Sequence, residues 1–131
     1  MVDKRKATVF LGVLKAAQEH IGKESSISIP IKLSLNEKLQ VLKELIGIGF
    51  NLSQIDLTDE GDQTLLTLKG EPPTVFSFSH IIVALEAVVD GEKEVRVLYR
   101  NCFDVIDFLL SNKLVDSPKM EVINNVSVIV F

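Results

Sequence analysis

Hydrophobic and polar positions along this chain switch repeatedly between a helical and a two-residue rhythm. Between residues 4 and 21, Ala7, Phe10, Leu14, Ala17 and Ile21 recur at three- and four-residue steps, with Val9 and Val13 widening the stripe and Gly22 beyond it. That spacing predicts an amphipathic helix with a glycine stop. From Ser26 to Leu33 the period becomes two: Ile27, Ile29, Ile31 and Leu33 point one way, and Ser26, Ser28, Pro30 and Lys32 the other. This is the signature of a half-buried strand, which Pro30 confines to a sheet edge or a bulge because it has no N–H to donate. Ser34-Leu35-Asn36-Glu37 fits a capping box. It opens a helix with Leu35, Leu39, Leu42, Leu45 and Ile46 on one face, ended by Gly47 and Gly49.

Two strands follow, around Ile55–Leu57 and Thr64–Lys69, joined by the turn Asp59-Glu60-Gly61-Asp62. Pro72-Pro73 breaks the chain and marks a possible half boundary near 71–74. A third helix, capped by Ser77 or Ser79, turns Phe78, Ile81, Ile82, Leu85, Val88 and Val89 inward. Glu94–Arg100 alternates as a strand, and Asn101 is placed to cap a helix carrying Cys102, Val105, Ile106, Leu109 and Leu110. Met120–Ile123 and Val126–Phe131 close the chain as a hairpin over Asn124-Asn125, residues that tolerate positive φ.

The predicted order is α-β-α-β-β, repeated. It implies an α+β fold in one domain over residues 1–131. A mixed or antiparallel sheet of about six strands would carry helices packed on it, with an internal α-β-α-β-β duplication as one account of the repeat. In that account Ile27, Ile29 and Ile31 correspond to Val95, Val97 and Tyr99, and the Gly61 hairpin to the Asn124-Asn125 hairpin.

Composition narrows the function classes. The 131 residues are 47% hydrophobic, which excludes intrinsic disorder, and one cysteine excludes a disulfide scaffold. Lys+Arg total 14 and Asp+Glu 18, a formal charge of −4. Residues 1–50 carry +3 and residues 51–131 carry −7. An acidic second half repels phosphate backbones, so nucleic-acid binding would rest on Lys4, Arg5 and Lys6 alone, and its ordinary reading is a solvated face. Lys4-Arg5-Lys6 before Ala7–Leu14 faintly resembles a secretory start, but Asp3 and Lys15 interrupt the pattern. No apolar run approaches the ~20 residues that span a bilayer. A cytoplasmic protein is expected, in which the Asn51-Leu52-Ser53 and Asn125-Val126-Ser127 sequons have no role.

Candidate chemistry is sparse. Cys102, in a first helical turn, would be favoured as a thiolate by the helix dipole, and with His80 or His20 it would form a nucleophile–base pair. A buried core cysteine is the commoner role. Asp56, Asp59, Glu60 and Asp62 around Gly61 partly match a calcium loop, but Thr67 stands where the bidentate Glu is needed. An acidic hairpin tip explains them as well, and no metal or cofactor is expected. Gly47-Ile48-Gly49 follows a helix and lacks a third glycine, so it does not read as a dinucleotide loop. Phe76 and Phe78 are the candidate stacking residues for bases or sugars, with core packing as their ordinary role.

The reading that remains is a non-enzymatic protein-interaction or assembly module, acting as a homodimer. Its contacts would come from the first helix through Phe10 and Leu14, and from an edge strand bearing Ile27, Ile29 and Ile31. A small cysteine-dependent enzyme using Cys102 with His80, or a weak nucleic-acid binder using the basic N-terminal segment, are the alternatives.

Overall fold

The computed structural model describes residues 2–73 and 77–131. Helices and strands follow as α1 (Lys4–Glu19), β1 (Glu24–Ile29), α2 (Leu35–Ile48), β2 (Ile55–Glu60), β3 (Gln63–Lys69), α3 (Ser79–Val89), β4 (Glu94–Leu98), α4 (Tyr99–Ser111), β5 (Lys119–Ile123) and β6 (Val126–Val130), with a short 3-10 turn at Leu52–Gln54. The class is α+β. The six strands, all antiparallel, are shared between two three-stranded sheets rather than joined in one.

The chain divides into two compact units. The first is Thr8–Ser77; the second is Phe78–Phe131 with the chain start through Ala7. Each runs α-β-α-β-β, and each places its last strand in the middle of its sheet: β1-β3-β2 in the first, β4-β6-β5 in the second. The repeat is therefore architectural. Of the proposed boundary at 71–74, residue 74 lies outside the described residues, as does Phe76.

In the first unit, Val9, Val13 and Ala16 of α1 pack with Ile29, Leu33, Val41, Leu45, Phe50, Ile55, Leu66 and Leu68 as one buried cluster. Ser34 caps α2 with the predicted reciprocal box: its Oγ accepts from the Glu37 amide at 3.2 Å, and its own amide donates to Glu37 Oε1 at 2.9 Å. The face α2 buries differs from the one its sequence suggests. Val41 and Leu45 are fully buried and Leu42 partly so, while Leu35, Leu39 and Ile46 are exposed. The apolar stripe is wider than the strip of core available, and packing selects the Val41–Leu45 side. β1 is an edge strand and ends at Ile29, so Pro30 lies just beyond the ladder rather than within it.

The second unit buries Ile82, Leu85 and Val88 from α3, Val95 and Val97 from β4, Cys102, Val105 and Leu109 from α4, and Ile129 from β6. Three local expectations are corrected here. Phe78, not Ser77 or Ser79, is the residue before α3. α4 begins at Tyr99 directly after β4, so Asn101 is inside the helix and Leu98 occupies the cap position. Arg100, expected on the strand, is accordingly helical. The β5–β6 turn does use positive φ at Asn124 and Asn125, 49° and 66°.

Candidate functional site

Cys102 lies in the first turns of α4 with no exposed surface. Among the described residues no hydrogen bond joins it to an imidazole. His80, at the start of α3, instead faces Asp104 of α4, with Nε2 3.7 Å from Oδ2. Helix geometry explains why. Cys102 shares the inward stripe with Val105 and Leu109, three and four residues apart, whereas Asp104 looks outward. A buried thiol flanked by aliphatic side chains is a core residue in its surroundings.

The acidic residues near Gly61 are separated by the strand pleat. Asp56 is ion-paired with Lys69 across the outer face of the first sheet, and Asp59 with Lys38 of α2 at 2.9 Å. Glu60 and Asp62 flank the turn and are exposed. Among the described residues no group of three or more His, Cys, Asp or Glu side chains is arranged to hold a metal. Lys69 responds to its neighbour: the hydrogen bond and charge of Asp56 raise its ammonium above the ordinary 10.5.

Lys4, Arg5 and Lys6 form the first turn of α1, which Asp3 caps by accepting from the Lys6 amide at 2.9 Å. Asp3 is itself held by its amide, which donates to the Leu114 carbonyl at 2.9 Å, next to a bridge between Val2 and Val115. An open depression of about 400 Å³ there is lined by Val2, Asp3, Lys4, Lys113 and Asp116. Its charges are mixed, two acids against two lysines, rather than a basic patch.

One polar cluster escapes a sequence reading. His20, just past α1, is buried. Its Nε2 is 2.7 Å from the Gly70 carbonyl, and its Nδ1 is 2.6 Å from Ser25 Oγ. A carbonyl only accepts, so Nε2 carries a proton, and in the neutral ring Nδ1 accepts from the serine hydroxyl. The Gly70 amide donates to the Lys23 carbonyl at 2.6 Å. The imidazole, tilted against Phe50, thus fastens the α1–β1 turn to the end of β3. Both ring nitrogens are committed, which suits a structural clasp. Its partners lie 5 and 50 positions away, so no local motif reveals it.

Of the expected contact residues, Phe10, Leu14 and Ile29 are buried, and Ile27 and Ile31 are half-buried against the first unit's core. The apolar side chains left outside are different ones. Leu35, Leu39 and Ile46 line one side of α2, with Leu35 73% exposed. In the second unit Leu98, Tyr99, Phe103 and Ile123 are exposed, and the Tyr99 and Phe103 rings meet edge to face with centroids 5.9 Å apart. Leu98 and Ile123 lie in one row across the sheet, with Val126 between them.

Among the described residues no helix is long and apolar enough to cross a membrane. No family model, no curated protein and no solved structure matches the chain.

Proposed function

We propose that this chain is a non-enzymatic protein-interaction module, cytoplasmic and acting as a homodimer. The observation that carries the reading is the apolar surface that each unit keeps outside its own core. Burying a large aliphatic or aromatic side chain is worth about 1.5–3 kcal/mol, so leaving Leu35, Leu39, Leu98, Phe103 and Ile123 in water forgoes stability that folding could have captured. Adjacent exposed apolar side chains of this kind mark surfaces that a partner covers.

The surroundings of the titratable side chains support the same reading. Cys102 is packed in a core, Asp56 and Asp59 are ion-paired with lysines on different elements, Glu60 and Asp62 are exposed beside the turn, and both ring nitrogens of His20 are hydrogen-bonded.

Light scattering of the full chain over a concentration series tests the proposal. The mass is expected to climb from 14.5 kDa toward twice that value. A mass fixed at that of one chain throughout the series would remove the homodimer.

A further inference from the structure

We infer that two copies of the chain pair face to face across the outer surface of the β4-β6-β5 sheet, about a two-fold axis running along β6. This rests on the interaction reading above and specifies its surface. The registers define three rows on that face: Leu98–Val126–Ile123, Arg96–Val128–Glu121 and Glu94–Val130–Lys119. The middle strand thus places a valine in every row, Val126 and Val130 half-buried and Val128 between them buried. The flanking strands offer one apolar pair and two pairs of opposite charge, with the sign order reversed between rows. Leu98, Ile123 and all four charged residues are exposed, against 8% for Val128.

That arrangement is self-complementary in one orientation. Rotation about an axis along β6 puts each β4 residue opposite the β5 residue of its own row in the second copy. Arg96 then meets Glu121, Glu94 meets Lys119, Leu98 meets Ile123, and each valine meets itself. An axis across the strands does not match all three rows. Centred between the two charged rows it pairs opposite charges but leaves the Leu98 row unmatched. Centred on the Arg96 row it sets Arg96 against Arg96. Aligned sheets pack at about −30°, which keeps the central row in register.

The equivalent face of the first sheet has no such character. Its rows are Ser26–Thr67–Asp56 and Ser28–Leu65–Thr58. They are satisfied within the chain by Ser26–Thr67 at 2.9 Å, Ser28 to Gln63 at 2.7 Å and the Lys69–Asp56 ion pair. The same architecture therefore carries one solvated face and one that is apolar along its centre.

Three strands of five residues, at about 4.8 Å and 3.4 Å spacing, cover only about 17 by 14 Å. This is well below the ~800 Å² per partner of a standard stable interface, so the pairing is expected to be weak.

The test is sedimentation velocity on the full chain from ~10 μM to ~1 mM, a range suited to a small interface, with circular dichroism confirming that each variant is folded. Wild type is expected to associate reversibly. R96E and E121R, both at exposed positions, are each expected to weaken association at least ~10-fold by setting like charges opposite. The double variant R96E/E121R restores opposite charges across the axis and is expected to return association to within ~3-fold of wild type.

Rescue by R96E/E94R instead would mean an axis across the strands and would overturn the orientation, as would a double variant no better than the singles. Undiminished association of R96E would overturn the surface while leaving a homodimer standing. A wild type that stays a single chain at every concentration would overturn both.

Discussion

Replacing Thr64 by Val and Ser127 by Ala perturbs two hydroxyls that occupy the same place in the two units, and opposite outcomes are expected. Each is the second residue of its unit's central strand, and each is fully buried. Thr64 Oγ1 donates to the Ile31 carbonyl and accepts from the Leu33 amide, both at 3.0 Å. It thereby holds the segment that leads from β1 into α2. Thr64→Val keeps the shape but leaves the Leu33 amide and the Ile31 carbonyl without that partner. At about 1–3 kcal/mol for an unsatisfied buried donor and less for the carbonyl, a loss of about 2–4 kcal/mol is expected.

Ser127 Oγ is buried with no hydrogen-bond partner among the described residues. The cause is topological: β4 runs into α4 at Tyr99, so no connecting segment exists to supply the amide and carbonyl that Thr64 serves. Ser127→Ala removes a desolvated hydroxyl and is expected to stabilise its unit by about 1 kcal/mol. Urea unfolding followed by circular dichroism reports both units. Fluorescence of Tyr99, the only tyrosine in a chain without tryptophan, reports the second unit. A neutral Thr64→Val, or a Ser127→Ala as damaging as it, would refute the reasoning.

The other expectations concern the first unit. Gly12→Ala should destabilise despite the better helix propensity, because an added Cβ would lie 2.8 Å from Cγ1 of the buried Ile29; Gly47→Ala, with nothing within 4 Å, should stabilise by about 0.5–1 kcal/mol, both read by thermal unfolding. Ser34→Ala removes the capping box of α2 and should cost about 1 kcal/mol in the same assay, with Ser34→Asp costing little. The Lys69–Asp56 contact raises the lysine, so its contribution is intact below pH 10.5 and is lost as pH rises through the higher folded value. In Asp56→Asn an NMR titration should find the Lys69 ammonium lower than in wild type, and an unchanged midpoint would dissolve that pair.

Element order and local chemistry were legible in the sequence wherever the signal was local. The Ser34–Glu37 box, the Asn124-Asn125 turn and the alternation of Ile27 and Ile29 depend on neighbours a few positions away, and they stand where expected. What escaped depends on distant partners. Two sheets replace one because nothing in a strand's alternation says which strand it will pair with. The outward turn of Leu35 and Leu39 reflects which side of α2 the core can reach, which periodicity alone does not decide. Asn101 offers good capping chemistry, yet it falls inside α4 because Leu98 already ends the strand with extended backbone and the helix starts at once. The His20 clasp needs a carbonyl 50 residues away.

The two units share one architecture and differ in their outer surfaces. Strand order, antiparallel pairing and a buried hydroxyl on the central strand are common to both. Those shared features fix the backbone, since a slip of one residue in a three-stranded sheet would exchange its inner and outer faces. The outer positions carry no such constraint. In the first unit they hold Ser26, Ser28, Thr58 and Thr67, which water or one another can satisfy. In the second they hold, beside the charged Arg96, Glu121, Glu94 and Lys119, the apolar Leu98, Val126, Val130 and Ile123 around a buried Val128. The second unit also has no segment for its buried hydroxyl to serve, and the hydroxyl stands unsatisfied among the described residues. It departs from the first at a cost to its own stability in both respects. A partner that covers those apolar side chains would recover the first of those costs and leave the second untouched. Ser127→Ala should therefore stabilise the chain without altering its association, whereas Arg96→Glu should alter association with little effect on folding.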